Sequence, residues 1–180
     1  MTQVGNVYGQ ALYDLAQSEG LTKPILDQLG ILQHCFTVAE PGFIKLLSTP
    51  AISKQERCQI LDDSFRGKVE PYVLNFLKIL TEKGYMRHFG DCCKVYRDIY
   101  YKDNGILLVE AVTAVPLTLD QLERLTKKLI AITGKQIELR NRIEADVLGG
   151  VRLDYDGKRL DDTVAHRLDA VRSILKNTVL

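Results

Sequence analysis

Residues 143–164 read Ile143-Glu144-Ala145-Asp146-Val147-Leu148-Gly149-Gly150-Val151-Arg152-Leu153-Asp154-Tyr155-Asp156-Gly157-Lys158-Arg159-Leu160-Asp161-Asp162-Thr163-Val164. Gly149-Gly150 frees the backbone just ahead of an alternating run, Val151, Leu153 and Tyr155 against Arg152, Asp154 and Asp156. That is the period of a half-buried strand with a bulge or close approach at its start. Asp156-Gly157 is a tight-turn pair. After the return segment Arg159-Leu160, either Asp162 or Thr163 can cap a helix whose apolar residues Val164, Leu168, Val171, Ile174 and Leu175 recur at spacings of three and four. The stretch is a hairpin feeding a helix, and it carries no catalytic constellation.

Upstream of it the chain is strand-like back to Asn104-Gly105, apart from one helix. Ile106 to Ala114 is rich in β-formers and Pro116 ends the run. Thr118 and Gln121 make a capping box for a helix whose buried face is expected at Leu122, Leu125, Leu129 and Ile132, and which Gly134 stops. Gln136 to Ile143 alternates imperfectly, as a strand does. Residues 105–180 therefore predict a small α/β domain.

Before Asn104 the period is helical throughout. Val4, Val7, Tyr8, Ala11, Leu12, Leu15 and Ala16 form one stripe. A second helix fits Pro24 to about Ala39, with proline in its first turn and Pro41-Gly42 beyond its end. A short turn is expected over Phe43–Leu47. Ser53 and Glu56 make a capping box for a helix to about Phe65. Glu70 to Lys83 and Tyr85 to about Asp103 supply two more, divided by Gly84. Short connections between amphipathic helices make antiparallel neighbours. The fold class predicted is α+β: an all-α bundle of about six helices over 1–104, then the α/β domain over 105–180.

Composition narrows the function. Lys and Arg number 24 against 23 Asp and Glu, a net charge of +1, which argues against a nucleic-acid module. The N-terminus lacks a basic region followed by an apolar run, so no secretory signal is expected, and no stretch approaches the roughly 20 apolar residues of a bilayer span. A soluble, intracellular chain is expected, with membrane association only through partners.

Three polar clusters invite chemistry, and each has a plainer reading. Gly134-Lys135 resembles the end of a phosphate loop, but Leu129 stands where such a loop needs glycine and Gln136 where it needs Ser or Thr. Asp161-Asp162 beside His166 lacks an orienting group and reads as carboxylates at a helix N-terminus. His88, Cys92 and Cys93 offer no second ligand pair for zinc. The cysteines fall instead in an apolar helical stripe with Phe89, Tyr96, Ile99 and Tyr100. No catalytic, cofactor or metal site is expected. The first helix and the helix from Glu70 carry more apolar residues than a narrow stripe, and periodicity alone leaves open whether the excess is core or a groove for a partner helix.

The C-terminal pattern resembles the signature of the ATP synthase delta subunit family, called the oligomycin-sensitivity-conferring protein in mitochondria. That signature runs isoleucine-aspartate, Gly-Gly-Val, a hairpin, then aspartate, a small residue, Ser-Val and Arg-Leu. Glu144 stands here where aspartate is usual, and Thr163 where serine is usual. The resemblance extends to Tyr8-Gly9-Gln10-Ala11-Leu12-Tyr13-Asp14-Leu15-Ala16, with Gly9 where alanine is common. It also takes in Phe76-Leu77-Lys78-Ile79-Leu80-Thr81-Glu82-Lys83-Gly84 as a fifth helix, and Ala114-Val115-Pro116-Leu117-Thr118 with Gln121. It implies a non-catalytic stator subunit that links the catalytic head to the peripheral stalk at the cytoplasmic face of the cell membrane. It further implies that the N-terminal helix of an alpha subunit enters a groove between the first and fifth helices, at Tyr8, Ala11, Leu12, Ile79 and Leu80. The C-terminus of the b subunit is then expected on the C-terminal domain. The competing expectations are a bundle-plus-α/β adaptor outside the synthase and, more remotely, a small hydrolase.

Overall fold

The computed structural model describes residues 2–49, 51–144, 147, 149–155 and 157–161. The chain divides into two compact units, Met1–Tyr100 and Tyr101–Leu180. The division falls in the last turn of a helix, slightly ahead of the change of period at Asn104-Gly105. The residues at that helix end, Lys102 and Asp103, are exposed and lie outside the bundle's core.

The first unit contains α1 (Gln3–Ser18), α2 (Thr22–His34) running on into a π-helical turn (Cys35–Ala39), α3 (Phe43–Ser48), α4 (Lys54–Phe65), α5 (Pro71–Glu82), and a 3-10 turn (Met86–His88) that leads into α6 (Phe89–Asp103). Local chemistry sets the starts. The Thr2 hydroxyl accepts from the Gly5 N–H at 3.2 Å and donates to Asp91 at 2.7 Å, so the cap of α1 is also its anchor to α6. Ser53 and Glu56 form the expected capping box of α4. Pro71 opens α5, and the preceding Glu70 N–H donates to the Gln28 side chain at 2.8 Å.

The buried face of α1 differs from the expected stripe. Gly5, Gly9, Leu12, Tyr13 and Ala16 are buried, whereas Val7, Ala11 and Leu15 are exposed. The cause is α6. A Cβ on Gly9 would stand 2.8 Å from the Cys92 carbonyl oxygen and 2.9 Å from Val95 Cβ, and one on Gly5 would stand 2.6 Å from Asp91 Cβ. The close approach rotates Tyr13 inward, where it meets Tyr96 edge-on at 5.2 Å, and the Tyr96 hydroxyl donates to the Thr22 carbonyl at 2.9 Å.

Around this seam lie Ile25 and Leu29 of α2, Leu61 of α4, Val73, Leu77 and Leu80 of α5, and an aromatic group in which Phe36 stacks on Phe43 and meets Phe65 and Phe89 edge-on. Arg57 is buried among them, and its guanidinium donates to the Leu47 carbonyl at 2.8 Å, near the C-terminus of α3 where a cation is favourable. Among the described residues, the buried Thr81 hydroxyl on α5 finds no hydrogen-bond partner. An unsatisfied buried hydroxyl costs about 1 to 3 kcal/mol. Thr81→Val keeps the shape and removes the oxygen, so it is expected to stabilise the bundle by about 1 kcal/mol in denaturant unfolding.

The second unit contains β1 (Ile106–Thr113), α7 (Leu119–Thr133), β2 (Gln136–Ile143), β3 (Arg152–Tyr155) and β4 (Lys158–Asp161), in a sheet of order β2-β1-β3-β4. The β1–β2 pair is parallel, from Ile106 against Gln136 to Thr113 against Ile143, and α7 is the crossover that a parallel pair requires. β3 is antiparallel to both β1 and β4. Thr118 and Gln121 cap α7 as expected, and Gly134 ends it at φ 65°, a conformation that disfavours a Cβ. Leu122, Leu125 and Leu129 are half-buried, but Ile132 is 80% exposed. Four residues after Leu129 the stripe continues at Thr133, and Ile132 falls on its flank. The pair Tyr155–Lys158 closes the hairpin over residues 156–157. The helix expected from Asp162 or Thr163 lies outside the described residues.

Asn141 holds this unit's corner. Its amide donates to the Ala111 carbonyl and to Thr113 Oγ1, both at 2.8 Å, and its carbonyl accepts from the Leu117 N–H at 2.9 Å. One side chain thus ties β2 to the end of β1 and to the strand exit before α7. Asn141→Leu removes all three bonds at nearly constant volume and is expected to cost about 2 kcal/mol, read as a lower thermal midpoint of the second unit.

Candidate functional site: the seam of α1 and α5

Two contacts fix how α1 and α5 run beside each other. The Tyr8 ring meets Tyr85, just beyond the end of α5, edge-on at 5.8 Å. At the other end Tyr72 faces the Glu19 carboxylate, whose hydrogen-bonding capacity and negative charge push the tyrosine's pKa up. The start of α1 thus adjoins the end of α5, and the end of α1 adjoins the start of α5. The helices are antiparallel.

Helical geometry then sorts the side chains. On α1, Tyr8, Leu15 and Glu19 share the edge facing α5; on α5, Tyr72 and Ile79 share the edge facing α1. Leu15 is 39% exposed and Ile79 44%. Ala11 and Val7 continue the apolar strip outward from that edge, with Val7 60% exposed. Val7, Leu15 and Ile79 thus leave exposed apolar surface along the edge where the two helices run side by side.

Of the five residues expected in the groove, Ala11 and Ile79 are exposed and Tyr8 is half-buried. Leu12 and Leu80 are core residues, 4% and 0% exposed, so they support the seam from beneath. Leu15 and Tyr72 provide surface in their place. The signal for this was the spacing of Val7, Ala11 and Leu15, each four apart, which marks one face; the glycines that turn that face outward are silent in a hydrophobic pattern.

Other clusters are closed or internally matched. A depression of about 580 Å³ between α4 and α5 is lined by Lys54, Gln55, Cys58, Gln59, Asp62, Glu82 and Lys83. Cys58 Sγ lies 3.8 Å from Glu82, and burial together with that carboxylate pushes the thiol's pKa up, the opposite of an activated nucleophile. Asp62 is held by Lys78 at 2.7 Å and Arg66 at 3.1 Å. Burial pushes the Cys92 thiol up to about 11 and the Cys93 thiol higher still, so both are small hydrophobes of α6. Among the described residues, no group of three or more His, Cys, Asp or Glu side chains is placed to hold a metal ion. In the second unit, Glu144 joins Arg142 and Arg152, each at 2.9 Å, and Asp154 joins Arg159 at 2.9 Å and Arg152 at 3.3 Å. Burial opposes the charge on Asp154, but the two guanidiniums outweigh it and hold the carboxyl below its ordinary value. Glu144 therefore brackets the glycine segment, binding the end of β2 to β3. Gly134-Lys135 is a helix end and turn. Asp162 and His166 lie outside the described residues.

Comparison with known proteins gives the family. The family model "ATP synthase delta (OSCP) subunit" matches residues 4–175. The chain is 30% identical to ATP synthase subunit delta of Alkaliphilus oremlandii over 177 residues, 98% of each chain, and 27% identical to that of Clostridioides difficile over 176 residues, 98% of this chain and 97% of the other. A chain in the mitochondrial ATP synthase hexamer of Toxoplasma gondii shares the fold, with a TM-score of 0.77 and 19% identity over 97% of this chain and 98% of that one. This chain belongs to the ATP synthase delta (OSCP) subunit family.

Proposed function

We propose that this chain is a non-catalytic stator subunit, tethering the alpha/beta catalytic head of an ATP synthase to its peripheral stalk. The observation that carries the reading is the apolar strip of Val7, Ala11, Leu15 and Ile79, exposed along a seam between two antiparallel helices. The N-terminal helix of an alpha subunit lies in that seam, and the C-terminus of the b subunit docks on the second unit. Rotation of a central shaft puts torque on the head, which without a tether would turn with the shaft. Several attachment points in one assembly raise the effective concentration of each contact, so none need be exceptionally strong alone. The membrane is reached through the complex, at its cytoplasmic face; among the described residues no helix is long and apolar enough to cross it.

Family membership supports a mechanical role. Calorimetric titration of the full chain with the N-terminal peptide of the alpha subunit is expected to give saturable one-to-one binding. Titration with ATP under the same conditions is expected to give no heat of binding, and saturable nucleotide binding abolished by Lys135→Ala would contradict the reading.

A further inference from the structure

We draw no further inference here: the strongest candidate, the depression between α4 and α5 lined by Lys54, Cys58, Glu82 and Lys83, rests on a lone cysteine with no second observation that points to a ligand.

Discussion

Gly9→Leu is expected to unfold the helical unit or to lower its stability by about 4 kcal/mol or more, the largest effect expected of a single change in this chain. The Cβ alone would meet the Cys92 carbonyl oxygen at 2.8 Å and Val95 Cβ at 2.9 Å, both closer than van der Waals contact. One of those atoms is backbone in the middle of α6, so relief requires moving a helix that also carries the buried Phe89, Cys93 and Tyr96. A small domain holds only about 5 to 15 kcal/mol in reserve, and a displacement of that kind takes a large share of it. Gly9→Ala adds the same clash with fewer atoms and gains about 1 kcal/mol of helix propensity, so a net loss of about 1 kcal/mol is expected. Gly30 in α2 supplies the control. Nothing lies within 4 Å of a Cβ there, so Gly30→Ala is expected to stabilise by about 0.5 to 1 kcal/mol. Chemical denaturation of the three variants separates packing from propensity, and a Gly9→Leu protein as stable as the parent would overturn the account of the α1–α6 contact.

The second large effect is on binding. Ala11→Arg is expected to weaken binding of the alpha-subunit peptide by more than about tenfold, or about 1.4 kcal/mol, while leaving the bundle folded. Ala11 is exposed, so the free protein accommodates a long side chain without loss. In the complex that side chain would lie across the path of an apolar helix with its charge poorly solvated. Ile79→Arg makes the same test from the other wall, with a modest stability cost because that side chain is partly buried. Ile31→Arg places the same charge on α2, where Ile31 is 69% exposed away from the seam, and is expected to leave affinity unchanged. Circular dichroism accompanies each titration. A folded Ala11→Arg protein with the parent's affinity would move the site elsewhere.

Local structure was largely legible in the sequence because it depends on neighbours a few residues away. The capping boxes of Ser53 with Glu56 and Thr118 with Gln121, the bounds of β2 and the pairing of β3 with β4 all follow from short-range patterns. What was hidden depends on distant partners. Glycine counts as nothing in a hydrophobic pattern, so Gly5 and Gly9 concealed the approach of α6, and the buried face of α1 was read rotated toward Leu15. The same rotation separates the five groove residues into a surface set, Tyr8, Ala11 and Ile79, and a core pair, Leu12 and Leu80. Arg57 is buried with its guanidinium on the Leu47 carbonyl at the end of α3, a partner ten residues away that no local pattern names. Ile132 was read as core from its apolar character, although the three-and-four spacing continues equally well at Thr133.

Membranes from cells lacking this chain test the central claim most directly, by the ATP they make under an imposed ion gradient with and without the purified protein. A tether is expected to be indispensable: the stripped membranes make no ATP, the added chain restores synthesis together with retention of the catalytic head, and the Ala11→Arg chain restores less of both at limiting concentration. Membranes that synthesise ATP at the full rate in the absence of the chain would contradict the stator reading.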